Sequence, residues 1–125
     1  MVVVDTDIMV DVMRGRPPAL AWLDRLGDEE VVLPGYVLME MLQGCRNQRE
    51  QRHVQRRLAG YRIAWPAPNE CDQAAAIFAG EHLRQSLGIL DALIGQTAIS
   101  LGLPLCTFNQ RHYTAIPGLA TIQPY

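Results

Sequence analysis

Val2-Val3-Val4-Asp5-Thr6-Asp7 is the stretch from which the rest of this chain can be read. Three consecutive β-branched residues with no polar alternation are the pattern of a short strand covered on both faces, as in a parallel sheet. Asp5 then stands where that strand ends. Ligands of open parallel sheets gather beyond the carboxyl ends of the strands, so Asp5 has two readings: a cap for a following helix, or a catalytic or ligand-binding carboxylate. Asp7 has the same two.

Outward from this run, the chain alternates strand and helix patterns. Ile8, Met9, Val12 and Met13 recur at near-helical spacing, and Gly15 with Pro17 and Pro18 marks a stop and a restart. The second helix is expected to run to about Leu26, with Leu20, Leu23 and Trp22 turned inward. Val31 to Leu33 reads as a strand closed by Pro34-Gly35, and Tyr36 to Leu42 as a helix stopped by Gly44. A polar helix over Asn47 to Ala59 precedes a third strand at Arg62 to Trp65. Pro66 and Pro68 make a turn into a helix over Asn69 to Gln85, and Gly88 opens another that reaches about Leu101. Pro104 to Thr107 is a fourth strand, and Ala120 to Ile122 a short edge strand. This order predicts one α/β domain over residues 1–125, a three-layer α/β/α sandwich around a parallel sheet of four to five strands.

Composition narrows the chemistry. The net charge of −2 excludes nucleic-acid binding by bulk charge, so any such binding needs a local basic face. All eleven basic residues are Arg, which removes P-loop and Schiff-base mechanisms, since both need Lys. Cys45, Cys71 and Cys106 lack metal or redox spacing and read as buried small hydrophobes in a reducing compartment. His53, His82 and His112 are also too scattered for a zinc site. The apolar segment from Leu87 to Phe108 is broken by Asp91, Gln96, Gly102 and Pro104, and a central Asp costs about 2.5 to 3.5 kcal/mol on membrane insertion. No membrane span and a cytoplasmic location are therefore expected.

Two further acids sit alone among apolar neighbours. Glu40 lies within Val37-Leu38-Met39-Glu40-Met41-Leu42, and Asp91 within Ile89-Leu90-Asp91-Ala92-Leu93-Ile94. A buried acid is costly unless paired or metal-bound, although the first helical turn also lets Asp91 stabilise the helix dipole. Asp5, Glu40 and Asp91 follow or precede strands in comparable positions, and a layered sheet can bring them to one edge. Carboxylates without Lys or His partners suit a hard cation, Mg²⁺ or Mn²⁺, which activates water and stabilises phosphoryl transition states. Arg49, Arg52 and Arg56, with His53, share a helix face opposite Val54 and Leu58. That face is either solvated or a contact surface for RNA phosphates or an acidic partner.

The ordered set Val4-Asp5-Thr6-Asp7, Glu40-Met41-Leu42-Gln43-Gly44, Asp91 to Ala98 and Thr107 to Tyr113 resembles the PIN-domain ribonucleases, specifically the VapC toxins of bacterial toxin–antitoxin pairs. The resemblance implies a Mg²⁺- or Mn²⁺-dependent endoribonuclease in which Asp5, Glu40 and Asp91 hold the metal. It further implies a VapB-like antitoxin as partner, an RNA substrate and a homodimer. Thr6 and Thr107 match hydroxyls near the metal waters, and Asp7 is a further acid to test. Where the family carries another acid, this chain has Asn109 and His112, which makes one-metal catalysis the expectation, with Asn109 a catalytic position and His112 a secondary one. Two alternatives stand beside this reading. One is a PIN-like domain that binds RNA or a partner without cutting. The other is a haloacid dehalogenase-like phosphatase, which shares the Asp5-Thr6-Asp7 start but needs a Lys that is absent.

Overall fold

The computed structural model describes residues 1–125. Five strands form one sheet: β1 (Val2–Val4), β2 (Val31–Pro34), β3 (Arg62–Ala64), β4 (Leu105–Cys106) and β5 (Thr121–Ile122). Their spatial order is β3-β2-β1-β4-β5, and every pairing is parallel. The register sets Val3 against Val32 on one side and against Leu105 on the other. All residues of β1 and β2 are buried, as unbroken apolar runs require when both faces are covered.

Seven helices connect the strands: α1 (Thr6–Met13), α2 (Pro17–Leu26), α3 (Gly35–Gln43), α4 (Gln48–Leu58), α5 (Pro68–Gln85), α6 (Ile89–Leu101) and α7 (Gln110–Tyr113). The chain moves outward from β1 to β2 to β3, then crosses back to β4 on the far side of β1. Right-handed crossovers place α1 to α4 on one face and α5 to α7 on the other. Consequently β1 and β4 are the neighbours from which the chain departs in opposite directions, and a crevice opens beyond their carboxyl ends.

Local chemistry accounts for the element ends. α4 buries only Val54 and Leu58, and its amino end is closed by side-chain caps. Asn47 Oδ1 accepts from Glu50 N at 2.9 Å, and Glu50 accepts in return from Arg46 N at 2.8 Å and from the Arg46 guanidinium at 2.9 Å. Gly35 has a reason beyond ending β2: a Cβ there would run into the Trp65 ring, which stacks edge-on against Tyr36 with centroids 5.4 Å apart.

Three expectations need correction. Leu20 is exposed and Ala19 takes the inward place beside it, while Trp22 faces inward as expected and Leu23 is half-buried. Cys45 and Cys71 are half-buried, and only Cys106 is a core residue. α7 was not foreseen, because four residues are too few to display a period. No helix is long and apolar enough to cross a membrane.

Leu105 is fully buried in a strand of two residues that must pair on both sides. Leu105→Ala should cost ~2 to 5 kcal/mol in urea denaturation. Leu83→Ala, at a side chain 91% exposed on α5, should stay within about 0.5 kcal/mol; equal losses would contradict the assigned core.

Candidate active site

The carboxyl ends of β1 and β4 carry Asp5 and Thr107, both buried. Asp5 N extends the ladder to Cys106 O at 3.0 Å, and Thr107 N extends it to Ile122 O at 2.9 Å. Extended backbone at Asp5 then turns into α1, whose first amide, Thr6 N, donates to Asp5 Oδ1 at 2.7 Å. Asp5 therefore caps α1 and also stands at the carboxyl end of β1, where the crevice opens.

Its second oxygen, Oδ2, accepts from Thr107 Oγ1 at 2.8 Å, and that hydroxyl accepts from Asn109 N at 2.9 Å. Asp7 Oδ2 lies 3.5 Å from the same hydroxyl and takes Phe108 N at 3.0 Å, while its Oδ1 takes Ile8 N at 2.7 Å. A hydroxyl has one proton to give, and the shorter contact directs it to Asp5. Burial first, and then the charge of Asp7, push the Asp5 carboxyl up from an ordinary 3.8 to about 6. Burial also raises Asp7. Two acids two residues apart on a buried edge hold their charge at a cost.

Glu40 comes from α3, half-buried, and accepts from the Thr6 hydroxyl. Asp91 is the third residue of α6, its side chain 25% exposed. Gly88 leaves room for it, since a Cβ there would stand 3.1 Å from Asp91 Oδ2. Glu40 and Asp91 line one cleft together with Phe78 and His82. His112 Nδ1 lies 3.9 Å from Asp91 Oδ2 and 3.2 Å from Asn109 Nδ2. The residues singled out in the sequence from the β1, α3, α6 and β4 regions therefore form one connected set. They do not form a closed cage: no three His, Cys, Asp or Glu side chains converge as ready-made metal ligands.

Tyr113, on α7, was quoted within the last motif but given no role. It is buried, and its hydroxyl lies against the Asp5 carboxyl, just short of a well-formed hydrogen bond. Burial, followed by the charges of Asp5, Asp91 and Asp7, raises that hydroxyl far above the ordinary tyrosine range, so it stays a proton donor.

Residues 2–116 match the family model of the PIN domain. The chain belongs to the PIN-domain family. The fold is also similar to that of chains in a toxin–antitoxin complex from Klebsiella pneumoniae (TM-score 0.78, 23% identity, covering 100% of this chain and 98% of that one). It resembles a VapBC-1 structure from nontypeable Haemophilus influenzae (0.78, 21%, 98% and 97%) and FitAcB from Neisseria gonorrhoeae (0.73, 22%, 99% and 98%). No curated protein matches the sequence. The family assignment removes the phosphatase alternative.

Within this PIN domain, α4 walls a groove of about 770 Å³ that begins at Thr6 and Glu40. Arg49, His53 and Arg56 line it, joined by Arg14 from the end of α1. Arg52 does not line the groove; it reaches back toward Gln48 Oε1 at 3.5 Å. The expected basic face is thus split, and Arg14 was missed because it lies far from α4 in sequence.

The raised Asp5 carboxyl has a signed consequence. The folded chain keeps that proton more tightly than the unfolded chain, so the contribution is full below about pH 4 and is lost as pH rises through about 6. A rise of that size is worth on the order of 3 kcal/mol. Chelator-treated protein should lose stability across that interval in denaturant titrations, and Asp5→Asn should flatten the loss and stabilise the chain at pH 7.5. An unchanged profile in Asp5→Asn would assign the titration elsewhere.

Proposed function

We propose that this chain is a Mg²⁺- or Mn²⁺-dependent endoribonuclease, the toxin of a VapBC-type pair, with a VapB-like antitoxin as partner and a homodimer as its working form. The observation that carries the reading is the buried Asp5–Thr107 pair at the crevice between β1 and β4, with Asp7, Glu40 and Asp91 around it. The donor chemistry fits a hard cation. Every anionic group is a carboxylate, and their charges oppose one another.

Asp5, Glu40 and Asp91 would hold the ion, which when bound lowers the pKa of a water and offsets phosphoryl charge. The chain's own groups prepare that arrangement. Thr107 spends its proton on Asp5 and so fixes the direction of that carboxylate. Thr6 does the same for Glu40. Asn109 braces Thr107 through its backbone amide and His112 through its side chain, a positioning role. Tyr113 offers a neutral donor where the acids offer only acceptors. Arg49 and Arg56, with Arg14, give RNA phosphates a cationic approach that ends at Glu40.

A second reading, RNA or partner binding without cleavage, is favoured by the open carboxylate set and by Asn109 and His112 standing where an acid is expected. One experiment separates the two. Purified protein and Asp5→Asn are incubated with a pool of structured RNAs, with and without Mn²⁺. The nuclease reading predicts Mn²⁺-dependent cleavage that falls at least about 100-fold in the variant, the scale on which losing a group that stabilises the transition state is felt. Binding with no cleavage selects the second reading, and equal cleavage by the variant identifies a contaminant.

A further inference from the structure

The α4 groove accounts for cations on only one flank of the acid centre. On the other flank, Arg84 near the end of α5 and Arg111 on α7 enclose a pocket of about 430 Å³ with Gln85, His112 and Thr114, and no hydrophobic side chain lines it. The two arginines are 27 residues apart in sequence and on separate elements, so no run of charge announces the pocket. Arg111 makes no side-chain hydrogen bond or ion pair. Arg84 gives one contact to Glu81, at 2.7 Å, which leaves most of its five N–H donors free.

The pocket is joined to the acid centre through a single side chain. His112 lines the pocket and also stands 3.9 Å from Asp91. Asp91 shares its cleft with Glu40, and Glu40 begins the α4 groove. The sequence of surfaces is therefore cationic groove, acids, cationic pocket. A polyanion drawn across the acids meets repulsion at the middle, and two flanking arginine sets offset it on both sides.

We infer that Arg84, Arg111 and His112 form a second phosphate-holding site, so that single-stranded RNA crosses the acid centre between this pocket and the α4 groove. The inference rests on the RNA reading of the acid centre. Backbone phosphates fit the pocket better than an acidic protein segment does, because stable protein docking adds buried anchors in well-packed pockets to its polar contacts and no hydrophobic side chain lines this pocket. Arginine's planar fork matches phosphate oxygens with paired N–H donors.

The test is the salt dependence of oligouridylate binding to the full chain, with divalent metal chelated so that cleavage does not intervene. Each phosphate contact contributes roughly 0.7 to the slope of log K against log salt for single strands. Arg84→Ala with Arg111→Ala should make the slope shallower by about 1.4, and Arg14→Ala with Arg49→Ala and Arg56→Ala by about 2. The paired variant Arg84→Lys with Arg111→Lys should retain the slope. Arg25→Ala with Arg62→Ala, near the amino ends of β2 and β3, should leave it unchanged. A slope in the Arg84 and Arg111 double variant equal to that of this control overturns the inference, as does a wild-type chain that binds no oligouridylate. Loss of polyglutamate binding with the RNA slope intact assigns the pocket to an acidic protein and also overturns it. A chain whose slopes respond as stated but which cleaves nothing with Mn²⁺ loses the nuclease reading alone. Cleavage with an unresponsive slope sinks only the second phosphate site.

Discussion

Asp5 places a carboxylate where β1 and β4 part, and much of the polar structure nearby exists to satisfy it. Thr6 N takes one oxygen, Thr107 Oγ1 takes the other, and Asp7 presses on the same hydroxyl from the next turn. The residual cost shows as a carboxyl raised to about 6. Natural cores remove such costs unless something uses them, and perturbed acids collect where chemistry is done. The strands flanking this point, β1 and β4, are buried throughout. Rigidity and electrostatic tension therefore come from the same construction.

The legible part of the chain was the part with a period or a boundary residue. Val2 to Val4 and Val31 to Leu33 announced covered strands, and Gly44, Asn47 and Gly88 announced helix ends. Asp5, Glu40 and Asp91 stood out because each interrupts an apolar context, which is visible in one dimension. Their grouping depended on strand order, and the crossing from β3 to β4 is what brings Thr107 beside Asp5. What could not be read has a common character. Leu20 and Ala19 are neighbours on a short helix, and its periodicity did not resolve which of them faces inward. α7 has four residues, so Tyr113 carried no helical signal. Arg14, Arg84 and Arg111 are single charges in separate segments, and only the fold assembles them. Arg52 shares a sequence pattern with Arg49 and Arg56 but stands outside the groove they line, reaching toward Gln48.

A net charge of −2 gives a poor description of the surface a polyanion would meet. The carboxylates of the crevice are concentrated in a small volume, and arginines stand on both of its flanks. On the proposed RNA reading, such an arrangement would hold a phosphate backbone by its sides and leave the anionic centre to a cation. Arg suits these flanking positions. Guanidinium stays charged beside acids and donates in pairs, whereas an ammonium near the same carboxylates would act as a point charge and occupy the cation's place.

The central claim is that Asp5, Glu40 and Asp91 act as one cation site although they do not yet close on a single point. Titration calorimetry of Mn²⁺ into the wild-type chain and into Asp5→Asn, Glu40→Gln and Asp91→Asn tests it directly. The account predicts a single site in the wild type, weakened about tenfold or more by each substitution, the scale of a lost interaction near 1.4 kcal/mol. Binding that survives all three substitutions, or that depends on only one of the acids, would contradict it.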